Sequence, residues 1–178
     1  MGLAVRKKSS KLPVVNVRNQ EIEVWRASEA EADRAFRLVE EYFKAADVVS
    51  REDRSEFREE YFGEGRGLWL ARTEGESAGC VGLRELRWPG DGQGGRCAEI
   101  KRMYVRNEFR GRGIAERLLK SAERFARDSG YAWIFLDTTD EMAAAARLYE
   151  RNGYERCERY NDNPQATIFM RKKLTSAF

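Results

Sequence analysis

A segment with two glycines and two arginines, RGRGIA at residues 110–115, stands where an apolar run gives way to an amphipathic helix. Arginine is unfavourable at a helix start, because the free N–H groups there already carry partial positive charge. The same N–H groups bind anions. Gly111 and Gly113 leave them uncovered, and Arg110 and Arg112 add positive charge beside them. The segment therefore predicts a binding site for a phosphate-bearing ligand.

Two common classes of phosphate-binding protein do not fit this segment. A Walker loop needs GxxxxGK[ST], and no Gly-Lys pair occurs in the sequence. A dinucleotide-binding fold needs GxGxxG after the first strand, with an acidic residue about twenty residues further on. Neither that pattern nor its position is present. The pattern [QR]xxGx[GA] is satisfied instead, by Arg110, Gly113 and Ala115.

Two motifs in this order resemble those of the GNAT superfamily of N-acetyltransferases. RGRGIA, preceded by MYV at residues 103–105, is similar to the loop that binds the pyrophosphate of acetyl-CoA in that family. LYERNGYE at residues 148–155 is similar to the second family signature, LYxxxGF, with Tyr154 in place of phenylalanine. The resemblance covers residues 21–174 and implies an N-acetyltransferase that uses acetyl-CoA.

The resemblance also implies which residues hold acetyl-CoA. Backbone groups of residues 103–105 would bind the pantetheine arm and the thioester carbonyl, and amides of residues 110–115 would hold the pyrophosphate. Met142 stands where many members carry an asparagine, so Thr138, Thr139 or backbone groups are alternatives for that contact. The implied cofactor-binding residues are Met103, Tyr104, Val105, Arg110, Gly111, Arg112, Gly113, Ile114, Ala115 and Met142.

Two side chains are predicted to handle protons. By resemblance, Tyr149 stands near the sulfur and protonates the departing thiolate; the alternative is core packing. An amine with a pKa of about 10.4 arrives mostly protonated, so a base is needed, and the sequence contains no histidine. Glu99 stands where histone-type members carry a glutamate base. The alternatives for Glu99 are a substrate contact or pairing with Lys101, Arg102 or a neighbouring strand.

The acceptor side is predicted by analogy with the fold. Tyr160 and Asn163, in the turn of the last hairpin, and Phe43, on the first helix, are the predicted substrate contacts. A small primary amine or amino acid is the first expectation, and a protein lysine or N-terminus is the second. A CoA-binding module without turnover is the alternative from another class.

Hydrophobic periodicity predicts the elements around these residues. Ser28 and Glu31 predict a capping box at the first helix, and Gly153 predicts the end of the last one. The predicted class is α/β, a GNAT fold with a mixed, mostly antiparallel sheet of about seven strands and about four helices. Helices are predicted at residues 29–46, 51–62, 113–128 and 141–152, and strands at 21–26, 68–73, 77–86, 96–105, 131–138, 154–160 and 166–174.

Composition limits the domain organisation, partners and compartment that the chain can have. A chain of 178 residues, 42% of them hydrophobic, suits a single domain at residues 20–178 behind a leader at 1–19. Three cysteines without histidine support neither a metal site nor a disulfide framework. The net charge of +3 is too small to argue for nucleic acid as a partner, and none is expected. No apolar run has the length of a signal peptide or membrane span, so we expect a cytoplasmic protein; the resemblance also allows a homodimer.

Overall fold

Helices cover both faces of a seven-stranded mixed sheet. The computed structural model describes residues 21–47, 53–87 and 95–175, so the predicted leader at 1–19 lies outside it. The α-helices of this part are α1 Ala32–Ala45, α2 Arg54–Tyr61, α3 Ile114–Asp128 and α4 Ala143–Arg151. The strands are β1 Glu23–Arg26, β2 Gly67–Thr73, β3 Glu76–Leu86, β4 Arg96–Val105, β5 Tyr131–Thr138, β6 Glu155–Arg156 and β7 Ile168–Lys173.

The strand order is β1-β2-β3-β4-β5-β7-β6. Neighbours run antiparallel except for β4 and β5, which are parallel. This confirms the predicted fold class and order of elements. The Ser28 backbone N–H donates to Glu31 Oε2 at 2.9 Å, as in a capping box. The first turn, Glu29–Glu31, is a 3₁₀ helix, so α1 begins at Ala32.

The sixth strand is shorter than predicted. The prediction was residues 154–160, but β6 comprises only Glu155–Arg156. One further backbone bond, from Cys157 N–H to the Phe169 carbonyl at 2.9 Å, follows the strand. Beyond it, Tyr160 and Asn161 donate to carboxylates on the sheet face. These bonds hold residues 157–167 across the face of the sheet, where they cannot extend the ladder.

The core divides according to the alternation of side chains along the strands. Even-numbered residues of β4 and β5, such as Ile100 and Leu136, pack with α3 and α4. Odd-numbered residues of β5, such as Phe135, pack beneath residues 157–167. On that second face, α1 and α2 cover β2 and β3. Glu99, being odd-numbered, is on the face shared by α1, α2 and residues 157–167.

The parallel strands β4 and β5 separate partway along their length. Their last recorded pair is Glu99 with Phe135, although both strands continue beyond it. The register between β3 and β4 shifts just after this point, and Arg102 in β4 has a φ of +55°. A bulge bends a strand and increases its twist. The end of β4 is therefore directed away from β5, and a gap opens between the two strands.

Gly79 of β3 lets the end of β4 approach closely. A Cβ at Gly79 would lie 2.3 Å from the Tyr104 backbone oxygen. Gly79→Ala should therefore shift the end of β4 and lower the free energy of unfolding by about 1–3 kcal/mol, the usual range for overpacking. Denaturant unfolding measures the change. Glu76→Ala, an exposed position of the same strand, should stay within about 0.5 kcal/mol of the parent. Equal values for both variants would contradict the close approach.

Candidate active site

A cleft of about 680 Å³ lies beside the end of β4. Its walls come from the end of β4, the segment leading into α3, the region of α4 and the C-terminal end of α1. Nine of the ten residues in the predicted cofactor-binding set line it. These nine are Met103, Tyr104, Val105, Arg110, Gly111, Gly113, Ile114, Ala115 and Met142.

The glycines of this cleft have the backbone conformation that the sequence suggested. Gly111 and Gly113 have φ values of +77° and +79°, in the left-handed region. A Cβ at either position would meet nothing within 4 Å, so this backbone is uncovered. Gly113 is the N-cap of α3, and the first amides of a helix have no intrahelical acceptor. The arrangement can bind an anion at the wall of the cleft.

The two arginines of residues 110–115 make different contacts. Arg110 lines the cleft and donates from Nε to the Val105 carbonyl at 3.0 Å. Arg112 does not line it, and its Nη1 pairs with Glu74 Oε1 at 2.6 Å. A cation from α4, Arg151, lines the cleft instead. Arg151 follows Leu148 by one helical turn, so the 3.6 period of the motif helix could have shown that both share a face.

Other cleft residues were absent from the predicted cofactor-binding set. Tyr42 reaches the cleft from α1. Glu41, beside it, accepts two hydrogen bonds of 2.7 Å from the Arg106 guanidinium just after β4. This bidentate pair fixes α1 against the end of β4. No local pattern shows the pair, because it joins segments far apart in the sequence.

Tyr149 lies behind the cleft lining and is only 4% exposed. Its ring packs edge-on against Tyr154, with centroids 5.6 Å apart. Burial, followed by the nearby Tyr42 and Asp137, raises the pKa of Tyr149 above its ordinary value, so the hydroxyl keeps its proton at neutral pH. The structure thus places a protonated hydroxyl within electrostatic reach of a cleft residue and of a carboxylate on β5.

Glu99 is completely buried, with 0% exposure, and hydrogen-bonded at both oxygens. Arg84 Nε donates to Oε2 at 2.8 Å, and Lys101 Nζ lies 3.0 Å from Oε1. Oε1 also accepts from the Tyr160 hydroxyl at 2.9 Å and from Asn161 Nδ2 at 3.2 Å. The ion pair between Glu99 and Lys101, one of the alternatives that the sequence left open, is present. Arg84 is the second cationic partner of Glu99. A base role for Glu99 stays a prediction.

Asp137 of β5 lies close to this group. Lys101 Nζ approaches Asp137 Oδ1 at 2.8 Å. Asn161 and Asn163 donate to Oδ2 at 2.9 and 3.0 Å. Burial by itself would raise the pKa of Asp137, but the Lys101 charge and the amide donors outweigh it, so this pKa lies below its usual range. Asp137 is therefore a carboxylate at neutral pH.

The predicted substrate residues fall at two places. Tyr160 is 7% exposed and packs against Phe135 and Phe169, while Asn163 is half-buried beside Asp137. The structure therefore brings Tyr160 and Asn163 together with Glu99. Phe43 of α1 is 6% exposed and lies under the Arg102 guanidinium, which is 4.8 Å from its ring centroid. Contact of these three residues with a substrate stays a prediction.

In the described part of the chain, no group of three or more His, Cys, Asp or Glu side chains could hold a metal ion. No helix of residues 21–47, 53–87 and 95–175 has both the length and the apolar character to cross a membrane.

The split between parallel β4 and β5, the left-handed glycine at the start of α3 and the cleft that joins them fit the N-acetyltransferase fold that the two sequence motifs predict. The sequence profile of the Acetyltransferase (GNAT) family matches residues 32–154. The chain belongs to that family.

Curated relatives that are named N-acetyltransferases match part of this chain. An uncharacterized N-acetyltransferase of Schizosaccharomyces pombe is 35% identical over 117 residues, covering 64% of this chain and 68% of the relative. N-acetyltransferase 8B of Homo sapiens is 33% identical over 119 residues, covering 62% of this chain and 48% of the human protein. The match thus spans about half the length of that human relative.

Solved structures share the fold at lower identity. A GNAT-family acetyltransferase from Staphylococcus aureus Mu50 aligns with a TM-score of 0.71 and 18% identity, covering 87% of this chain and 100% of the other. A chain of the NatC complex bound to Gag peptide and CoA aligns with a TM-score of 0.69 and 21% identity, covering 87% and 99%. At these identities the likeness shows the fold.

The hydrogen bond from Tyr160 to Glu99 should contribute measurably to stability. Tyr160→Phe removes a donor to a buried carboxylate and should lower the free energy of unfolding by about 1.5–3 kcal/mol. Tyr154→Phe is the matched control, because the Tyr154 hydroxyl is also buried and lies near the Glu123 carboxylate without a well-formed hydrogen bond to it. Its removal should cost less stability than removal of the Tyr160 hydroxyl. Denaturant unfolding of both variants compares them, and a smaller loss for Tyr160→Phe than for Tyr154→Phe would contradict the network.

Proposed function

We propose that the chain is an acetyl-CoA-dependent N-acetyltransferase that acts on a primary amine of a small molecule or an amino acid. The cleft carries the proposal, because its lining joins an uncovered helix N-terminus to the end of a strand that has parted from its neighbour. When bound, acetyl-CoA supplies an acetyl group activated as a thioester. The chain's own residues bind it, place the amine beside it and handle the protons.

The residues present fit this cosubstrate. The uncovered backbone at Gly111 and Gly113 would hold the pyrophosphate, with cationic support from Arg110 and Arg151 at the cleft wall. Residues 103–105 lie beyond the last pair with β5 and would bind the pantetheine arm through their backbone. Met142 and Leu148, which also line the cleft, would provide apolar contacts for the arm.

Two side chains are proposed to handle protons. The Tyr149 hydroxyl keeps its proton at neutral pH, which suits a group that protonates a leaving thiolate. Glu99 is the proposed acceptor of the amine proton. Because Glu99 has no exposed surface, the proton would reach it through the Tyr160 hydroxyl, which donates to Oε1.

The state of the cysteines supports the cytoplasm as the proposed compartment. The free thiols Cys80, Cys97 and Cys157 form no disulfide. Reducing compartments keep thiols in this form. A homodimer stays a prediction.

A panel assay tests the proposed activity. The purified chain receives acetyl-CoA with single primary amines, amino acids, a lysine-containing peptide with a blocked N-terminus and a peptide with a free N-terminus, while free thiol is monitored. The proposal expects turnover with a small amine or amino acid. Turnover with peptides alone would favour a protein acceptor, and CoA binding without any turnover would favour a binding module.

Gly113→Glu tests the anion site. The new carboxylate would stand beside the amides that hold the pyrophosphate, and opposed like charges cost several kcal/mol. The dissociation constant for CoA should therefore rise at least about a hundredfold in a calorimetric titration.

Gly130→Glu is the matched control for that variant. Gly130 follows the other end of α3, has a φ of +78° and also has nothing within 4 Å of a built Cβ. It carries the same backbone strain and the same added charge away from the cleft, so CoA affinity should stay near the parent value. Unchanged affinity in Gly113→Glu would overturn the assignment of the loop.

Glu99→Gln tests the proton acceptor. The amide cannot take up a proton, so turnover should fall by about a hundredfold or more while CoA affinity is kept. The pH dependence of turnover should change as well, because the accepting group is gone. Thiol release across pH and a CoA titration give both measurements. Turnover is normalised to the amount of folded protein. If the variant is less stable but keeps the parent's turnover and pH profile, Glu99 has a structural role only.

A further inference from the structure

A buried ion pair bridges the gap between β4 and β5. Lys101 and Asp137 stand two residues beyond the last recorded pair, Glu99 with Phe135, and face the same side of the sheet as that pair. Lys101 Nζ lies 2.8 Å from Asp137 Oδ1, across the place where the strands part. The side chains are 12% and 7% exposed, so a small part of each remains accessible.

The gap connects this pair to the cofactor side of the sheet. Tyr149 belongs to the core that α3 and α4 form on the opposite face. On β4, Lys101 is followed two residues later by Met103, which lines the cleft, and Asp137 contacts Lys101 across the gap. The pair therefore lies beside the end of the cleft, where Asp137 also raises the pKa of the Tyr149 hydroxyl. An amine held by Asp137 would be at the reacting end of the cleft.

The pair belongs to a larger group of alternating charges. Its cations are Arg84 and Lys101, and the carboxylates that they contact are Glu99, Asp137 and the partly exposed Glu60. Breaking such a pair and leaving one partner buried without a counter-charge is strongly unfavourable. If a simple ammonium replaced Lys101 as the partner of Asp137, Lys101 would keep only Glu99 as a counter-charge. A ligand that carries both charges can give each member of the pair a new partner.

We propose that Lys101 and Asp137 recognise the acceptor and that the acceptor is a zwitterionic amine, with α-amino acids as the leading class. Asp137 accepts hydrogen bonds from the acceptor nitrogen, and Lys101 pairs with its carboxylate. The amino group and carboxylate of an α-amino acid are attached to one carbon, which suits a pair only 2.8 Å apart. Asn161 and Asn163, both hydrogen-bonded to Asp137 Oδ2, hold that carboxylate in place. This inference rests on the proposed function and narrows its substrate.

Matched substrates give the first test, on the unmodified chain. Each of the twenty standard amino acids is compared with its methyl ester and its decarboxylated amine, by thiol release from acetyl-CoA and by calorimetric titration at saturating CoA. At least one amino acid should bind and react with a kcat/KM at least tenfold above those of its ester and amine. If amines and esters react as well as the acids, the inference is wrong and the proposed function survives. The inference is also wrong if no amino acid binds and reacts.

Variants then test the residues. Lys101→Gln should lower kcat/KM for the preferred amino acid at least tenfold, while the decarboxylated amine changes less than threefold. Lys101→Arg keeps the charge and should retain the preference for the acid. Asp137→Asn should weaken binding of both substrates. If Lys101→Gln lowers the two kcat/KM values by the same factor, the ion pair only supports the fold.

Two controls separate recognition from folding and from cofactor binding. CoA affinity, measured for every variant, should stay within threefold of the parent, because the cleft does not include Lys101 or Asp137. Arg72→Gln removes a different interstrand ion pair, with Glu23 at the β1 edge, and should leave both substrates unaffected. If the unmodified chain binds no CoA and shows no turnover, the proposed function itself is wrong.

Discussion

The separation of β4 from β5 is the constraint on which the rest of the structure depends. Parallel strands normally continue their hydrogen bonds to the end, and buried backbone groups without partners are costly. Here pairing stops at Glu99 and Phe135 while both strands continue. The register shift opposite β3 and the left-handed Arg102 make the separation geometrically possible, and Gly79 allows the displaced end of β4 to pack closely on β3.

Side chains replace the missing backbone pairing on one face. Lys101 and Asp137 hold the two strands together just beyond the point where they part. A buried ion pair gives little net stability unless its hydrogen bonds are satisfied. Asn161 and Asn163 provide such bonds to Asp137, and Tyr160 provides one to Glu99. The segment at residues 157–167 is thereby attached to the strands at the gap, so a change at the ion pair would also act on this segment.

The backbone that forms the proposed cofactor cleft could be predicted from the sequence because it is contiguous. Within residues 103–115, strand end, glycines and helix start follow one another, and their conformations depend mainly on local residue types. The capping box at Ser28 and Glu31 is equally local. The position of the Arg112 charge was not predictable, because its partner Glu74 comes from the distant β2–β3 turn. The shortened β6 has the same kind of cause, since bonds to Glu99 and Asp137 divert residues 157–167.

The proposed acceptor site is built differently, and this explains why family membership leaves the substrate open. Its charged group combines Arg84 of β3, Glu99 and Lys101 of β4, Asp137 of β5 and amides from the last loop. Each contact depends on a side chain, whereas the cofactor loop depends on backbone that many sequences can form. A shared fold at 18% identity preserves the backbone without fixing such a set of side chains. The Lys101–Asp137 pair, which presents both signs of charge at the gap and stays slightly exposed, is therefore the feature that favours a zwitterionic acceptor over a simple amine.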